Sequence, residues 1–248
     1  MLSKDQAICI RTVDYSETSQ IVTLFARSTG KLSAIAKGSK RPRSSFDGPL
    51  EILSFGNIVF SCKDEARLAT LTEFQHKPLY MSGLELLTLN CSLFGAELVN
   101  AMTDEHDPHP ELFDSFVQFL RNLHEQEPTE NKDAKTVMLL ILFQLSLLKE
   151  VGLGPVLNVC NNCKTGNSAA RPKQMYFSSS ANGLICRDCE SSFADTVRLS
   201  PEAAKCLINL QTIVEANTNT LEEIEKILIG HFTELLGQVP KMAKYVGT

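Results

Sequence analysis

Tryptophan is absent from this 248-residue chain, and aromatic residues make up only 7% of it. Aromatic stacking is therefore expected to be secondary, leaving charge and backbone donors to carry most of any polyanion recognition. The longest apolar run, Val137 to Phe143, is followed by Gln144, Ser146 and Lys149. It falls well short of the ~20 apolar residues of a membrane span. The first residues, MLSKDQAICIRTVDYSE, meet charge at once and contain no apolar h-region, so a soluble, cytoplasmic protein is expected. Enzyme signatures are missing as well. No G-x-x-x-x-G-K-[ST], H-E-x-x-H, G-x-S-x-G or strand-borne G-x-G-x-x-G occurs, and a non-enzymatic role is expected. His76, His106, His109, His124 and His231 are scattered, with surface or capping roles as their default reading.

What is present begins with 43% hydrophobic residues, enough for buried cores. The net charge of −5 hides an asymmetry: residues 1 to 77 are basic overall and residues 78 to 248 acidic. A basic segment on an acidic remainder points to a polyanion partner for the basic part.

Strand-like segments rich in Ile, Val, Thr and Phe run over Gln6–Val13, Gln20–Arg27, Lys31–Lys37, Leu50–Phe60 and Arg67–Phe74. Turn residues separate them. Five strands in about 70 residues fit a small OB-type barrel, and an SH3-like barrel has nearly the same signature. After Pro78 the period becomes helical. Leu84, Leu87, Cys91, Phe94, Leu98 and Met102 recur on one face. A second helix is expected to start at Asp107-Pro108 and bury Leu112, Phe116, Phe119 or Leu120, and Leu123. A third, Asp133 to Val151, stops at Gly152. Residues 152 to 198 break the pattern, and then helices resume. Ser200-Pro201 reads as one helix start, and Thr220 with Glu223 as a capping box for a last helix with Leu221, Ile224, Leu228, Phe232 and Leu235 in a stripe. The expected fold is α+β: an N-terminal five-stranded OB-type β-barrel over 1–77, then an all-α domain over 78–248 carrying an inserted four-cysteine zinc knob at 152–198.

The knob rests on two C-x-x-C pairs, Cys160/Cys163 and Cys186/Cys189, separated by 22 residues. In each pair a tight turn directs two thiolates at one ion, and two turns complete a tetrahedron. Four thiolates leave no position for water, so one structural zinc ion is expected rather than a catalytic one. A redox pair, an iron cluster, or buried cysteines without a ligand role are the alternatives. Cys9, Cys62, Cys91 and Cys206 sit singly on apolar periodicities and read as core.

Between Arg27 and Arg43 lie Arg27, Lys31, Lys37, Lys40, Arg41 and Arg43, with no acid among them. Strand alternation places Lys31, Ser33, Ile35 and Lys37 on one face. The loop Gly38-Ser39-Lys40-Arg41-Pro42-Arg43-Ser44-Ser45 adds hydroxyls and backbone amides, further donors for phosphate. Nucleic acid is the functional reading, and a solvated charged loop the bland one. Phe25 and Phe46 are possible stacking platforms, with core the default for Phe25.

The order of features resembles the bacterial recombination mediator family RecO. The resemblance is carried by Arg11-Thr-Val-Asp14-Tyr15-Ser16-Glu17, Ile21-Val-Thr-Leu-Phe25, Gly30-Lys31-Leu, Ala36-Lys37-Gly38 with its basic tail, Leu68-Ala-Thr-Leu-Thr72, Gly152-Leu-Gly-Pro155, and the cysteine pairs with Gly183-Leu-Ile-Cys186 between them. It implies an OB-fold binding single- and double-stranded DNA, with Lys31, Lys37, Lys40, Arg41, Arg43 and Arg67 as contacts, and a zinc-carrying helical domain. It also implies annealing of complementary strands in DNA repair and homologous recombination. Partnership with RecR and the single-strand-binding protein to load RecA, and a nucleoid-associated cytoplasmic location, complete the expectation. Arg171 and Lys173, between the cysteine pairs, are an unusual addition of positive charge. The rival readings are a zinc-ribbon accessory protein that binds RNA, and a nuclease with a composite site.

Overall fold

A computed structural model describes residues 2–41, 44–46, 48–62, 68–79, 85–126, 131–166 and 174–246. Its described elements divide into two compact units, Met1–Glu125 and Gln126–Thr248.

In the first unit five strands close into a barrel: β1 (Leu2–Asp14), β2 (Gln20–Ala26), β3 (Gly30–Ala36), β4 (Phe55–Ser61) and β5 (Ala69–His76), in the order β1-β2-β3-β5-β4. Strand β1 is long enough to serve both sides of the closure. Its first half pairs antiparallel with β4, from Leu2 opposite Ser61 to Ile8 opposite Phe55, and its second half with β2, from Ala7 opposite Ala26 to Asp14 opposite Gln20. A bulge between Cys9 and Arg11 supplies the bend. The barrel shuts where β3 runs parallel to β5, Ala34 opposite Ala69. Small residues suit that tight seam: Ala7, Ala26, Ala34, Ala36 and Ala69 point inward with Val22, Leu24, Leu32, Phe60, Leu71 and Phe74. This is the OB-type connectivity expected, with one correction. Leu50 to Ser54 is not strand. The chain turns there, with Leu53 at a φ of 73°, and Leu50 and Leu53 are buried as a plug.

Two helices complete this unit, α1 (Leu86–Met102) and α2 (Pro110–His124). The sequence pattern assigns them to a separate helical domain beginning at residue 78. In the structure they pack with the barrel, because the barrel's outer wall carries apolar groups that need cover. Phe113 of α2 is buried against Phe25 of β2 and Phe55 of β4, ring centroids 5.9 and 6.4 Å apart. Helix α2 starts two residues later than the sequence implies: the first-turn proline is Pro110, with His109 as the N-cap. The expected face of Leu112, Phe116, Phe119, Leu120 and Leu123 is buried. On α1, Cys91, Phe94 and Leu98 are buried, and Leu84 lies outside the described residues.

The second unit is built on α3 (Lys132–Glu150), α4 (Pro201–Ile208) and α5 (Thr218–Leu236). Ser200 caps α4, its hydroxyl accepting from the Ala203 amide at 3.1 Å. The capping box expected at Thr220 is not formed. Asn217 caps α5 instead, accepting from the Thr220 amide at 2.9 Å, and Glu223 turns to the Ser200 amide at 2.7 Å. Leu221, Ile224, Leu228 and Phe232 are buried as expected, whereas Leu235 is exposed. The helices are interrupted between α3 and α4 by a small sheet, order β7-β6-β8, of β6 (Met175–Ser178), β7 (Gly183–Cys186) and β8 (Val197–Arg198).

A buried polar pair joins two helices of this unit. Gln144 of α3 donates to Glu225 of α5 at 2.8 Å, and both side chains are buried. Burial pushes the Glu225 carboxyl up to about 7. A carboxyl with a folded pKa above its unfolded value near 4.5 favours the fold below pH 4.5, and this contribution is lost as pH rises through 7. Buried His231 works in the opposite sense, since burial lowers its pKa and the unfolded chain protonates first as pH falls below about 6.5. Glu225→Gln is therefore expected to stabilise the protein at pH 8, by on the order of 3 kcal/mol, and to have little effect at about pH 4.5. Thermal melts at the two pH values check this, and an equal shift at both would refute it.

Candidate nucleic-acid interface and metal centre

The outward face of β3 carries Lys31, Ser33 and Ile35, as the alternating burial of the strand requires. Its two ends have different surroundings. At the first end, the Lys31 ammonium donates to the carbonyls of Asn100, at 2.7 Å, and of Thr103, which close the C-terminus of α1. Those carbonyls have no partner within the helix, and their partial negative charge attracts a cation. Burial pulls the Lys31 pKa below the usual lysine range, against the opposing pull of Asp104 and Glu105. The segment after α1 continues along the strand: the His106 amide donates to the Lys31 carbonyl at 2.8 Å, and the Ser33 hydroxyl to Glu105 at 2.8 Å. Gly30 allows this approach, since a Cβ there would lie 2.3 Å from the Asp107 carbonyl oxygen. Nearby, Arg27 grips Asp114 of α2 with two hydrogen bonds of 2.9 and 2.8 Å. Lys31 and Arg27, two of the expected DNA contacts, thus hold α1 and α2 against the barrel.

The other end is open. Lys37 and Arg41 are exposed, and among the described residues neither has an ion-pair partner, while Lys40 reaches Asp14 at 2.5 Å. Arg43 and Arg67 lie outside the described residues, as do Arg171 and Lys173. The expectation that this loop offers free backbone and hydroxyl donors needs correction. The Gly38 amide donates to Ser19, the Lys40 amide to the Thr18 carbonyl and the Arg41 amide to the Gly38 carbonyl. The buried Ser39 hydroxyl donates to Gln20 at 2.9 Å, and that of Ser45 to the Thr72 carbonyl. These bonds fix the loop and leave Lys37 and Arg41 as its outward cationic groups among the described residues. Phe46 is buried along with Phe25, so neither offers a stacking face.

Two residues escape a reading of the sequence. The bulge after Cys9 turns Arg11 and Val13 outward, in register with Thr23 and Ile21 of β2, which in turn face Ser33 and Ile35 of β3. Arg11 and Val13 are exposed, and Tyr15 just beyond them is 63% exposed. A bulge has no signature in a single sequence, so the side on which Arg11 emerges is not legible there.

In the second unit, the sulfur atoms of Cys160, Cys163, Cys186 and Cys189 lie within 4.8 Å of one another. Tetrahedral zinc with bonds of about 2.3 Å separates its sulfurs by about 3.8 Å, and Cys163 and Cys186 are 3.7 Å apart. That distance is far beyond a disulfide bond. The Cys186 amide donates to Cys160 Sγ at 3.4 Å, and the Thr165 hydroxyl lies 3.3 Å from Cys163 Sγ, contacts that favour thiolates. Backbone contacts hold the two knuckles in place. The Cys160 amide donates to the Thr165 carbonyl, the Leu184 amide to the Val156 carbonyl, and the Asn161 amide to the Leu184 carbonyl. Gly183 makes this possible, for its φ is 150° and a Cβ would lie 2.3 Å from the Val156 oxygen. Among the described residues apolar support is thin: besides the cysteines, the buried cluster here holds Tyr176 and Ile185, with Ala181 and Phe193 partly buried. The four-cysteine set fits one tetrahedral ion.

Both features, a closed OB-type barrel and a helical unit with a four-cysteine centre, agree with the matches to known proteins. The family model described as Recombination protein O N terminal matches residues 1–78, and that described as Recombination protein O C terminal matches residues 84–244. The chain belongs to the RecO family. The DNA repair protein RecO of Bacillus pumilus is 30% identical over 99% of this chain and 94% of its own length. Its counterpart in Rhodopirellula baltica is 32% identical over 87% and 77% respectively, and that of Bacillus subtilis 28% over 99% and 94%. This RecO chain is a DNA repair protein of that family, and no described helix is long and apolar enough to cross a membrane. The two RecO models meet between residues 78 and 84, where the sequence pattern changes, although the first compact unit extends to Glu125.

The two ends of β3 predict different outcomes for the same change. Lys31→Ala leaves the terminal carbonyls of α1 without their cation and is expected to cost about 1–3 kcal/mol, whereas Lys37→Ala is expected to stay within ~0.5 kcal/mol of the parent. Chemical denaturation of both variants decides this, and equal stabilities would contradict the division.

Proposed function

We propose that this RecO family member is a non-catalytic DNA repair and recombination mediator. Its barrel binds single- and double-stranded DNA through the open end formed by Arg11, Lys37, Lys40 and Arg41, with Arg43 and Arg67 as further contacts. The observation that carries the reading is the exposed cationic cluster at one end of a closed OB-type barrel, in a family whose curated members are named for DNA repair. Side chains of this kind meet phosphates and do not read bases. Strands so held keep their base edges free, which suits annealing of complementary strands without nucleotide hydrolysis. Tyr15 and the aliphatic row of Val13, Ile21 and Ile35 offer an unpaired base a surface to rest on.

In this reading, cooperation with RecR and the single-strand-binding protein delivers RecA to single-stranded DNA, in the cytoplasm at the nucleoid. The family assignment supports these partners. The metal is one structural zinc ion held by Cys160, Cys163, Cys186 and Cys189. Bound there it supplies cross-linking rather than chemistry, because four thiolates leave no position for a reacting water.

Replacing Lys37, Lys40 and Arg41 together with Ala is expected to weaken single-strand binding and to reduce the slope of log K against log salt by about 2, at ~0.7 per lost phosphate contact. Annealing of complementary oligonucleotides should slow in parallel. Unchanged binding and slope in the folded variant would place the DNA site elsewhere. Asp114→Asn separates the two roles open to Arg27: an unchanged slope marks that arginine as a tether, and a steeper one as a phosphate ligand. For the metal, elemental analysis should give one zinc per chain, and Cys160→Ser should lose it together with solubility, affecting DNA binding only indirectly. A soluble, stable Cys160→Ser protein would remove zinc from the account.

A further inference from the structure

Helix α5 buries one face and leaves another uncovered. Glu223, Lys226, Gly230 and Glu234 recur at three- and four-residue spacings along the second face, a stripe about 16 Å long with buried Ile227 at its edge. Together with Asp195, and Val197 of β8, they line a groove of about 380 Å³. Its apolar ground is formed by Phe177 and Ile227, both buried, and by Val197, which is 50% exposed.

Gly230 is the odd residue in this stripe. A glycine inside a helix costs about 0.5–1 kcal/mol relative to alanine. It is usually explained by another part of the chain pressing on the bare backbone. Here nothing does, since a Cβ built at Gly230 meets no atom within 4 Å. The gap lies on the groove wall, where it lets an incoming side chain approach the α5 backbone. Charge selects what enters. Among the described residues, three carboxylates, Asp195, Glu223 and Glu234, line the groove against the ammonium of Lys226. An acidic segment is repelled, and a basic one is attracted.

We infer that the groove between α5 and the β6–β8 sheet docks a partner protein segment bearing an apolar side chain flanked by lysine or arginine, the apolar group seated over Gly230 and the cations on Glu223 and Glu234. This inference is independent of the DNA-binding reading, which concerns the barrel. A short helix or strand with that pattern fits the open, elongated shape better than a compact small molecule, which wants deeper enclosure.

The test uses the full chain with two fluorescent amphipathic peptides of identical leucine pattern, one carrying lysine and one glutamate at the polar positions, followed by anisotropy at physiological salt. Gly230→Leu fills the gap, and its melting temperature, equal to or above that of the parent, reports that the fold is intact. The expected result is that the lysine peptide binds at least tenfold tighter than the glutamate peptide, loses at least tenfold with Gly230→Leu, and loses several-fold with Glu234→Lys. Equal binding to the parent and to Gly230→Leu overturns the proposal. So does a Gly230-sensitive preference for the glutamate peptide. Concentration-dependent dimerisation in sedimentation that Gly230→Leu abolishes also overturns it, by making a second copy of this chain the occupant.

Discussion

The Lys31 ammonium, seated on the last carbonyls of α1, decides how much of the barrel remains available to a partner. A helix end leaves carbonyls unsatisfied, and a cation is the most effective group to settle there. Once Lys31 takes that place, the segment leading to α2 must lie along β3, Glu105 and His106 bond to that strand, and Phe113 is brought onto Phe25 and Phe55. Aromatic burial of this kind contributes roughly 1.5–3 kcal/mol for each ring, so the ion contact sets the position and the rings hold it. The turn that follows the strand then carries other cations, beginning at Lys37, at the far end.

The metal centre obeys a different constraint. Among the described residues, the buried cluster at the two knuckles offers only Tyr176 and Ile185 besides the cysteines, few apolar groups to hold the knuckles together. A tetrahedral ion bonded to four thiolates supplies on the order of 10 kcal/mol, far more than Tyr176 and Ile185 contribute. Gly183 shows how closely the knuckles are packed, because even one methyl group would collide with the Val156 backbone. Asp195 secures the turn between β6 and β7 by accepting from the hydroxyls of Ser178 and Ser180, and those hydrogen bonds, working against desolvation, bring its carboxyl down to about 2. The carboxylate therefore stays charged on the groove beside α5.

Helix α5 links these parts of the second unit. Its buried side joins α3 through an apolar stripe with one polar crossing at Glu225 and Gln144. Its uncovered side faces the groove. A buried carboxyl and a buried imidazole on one helix pull stability in opposite directions with pH, so rising pH gains through His231 while it loses through Glu225.

The sequence determined the features that depend on local pattern. Five strands, the helical change after Pro78, the Ser200 cap and the buried stripes of α2 and α5 follow from alternation, spacing and turn chemistry. The two C-x-x-C pairs also foretold the four-cysteine cluster, since the spacing within each pair is a local property. Tertiary structure decided which charged side chains are spent internally. Lys31 and Lys37 look alike in sequence, where alternation assigns them one face, yet the strand ends at Ala36, and only the fold brings a helix terminus to Lys31 and leaves Lys37 in water. The same holds for Glu223, whose spacing from Thr220 imitates a capping box but whose carboxylate serves the Ser200 amide across the fold. A side chain's local pattern gives its direction, while its partner comes from a segment tens of residues away, and only the folded chain brings the two together.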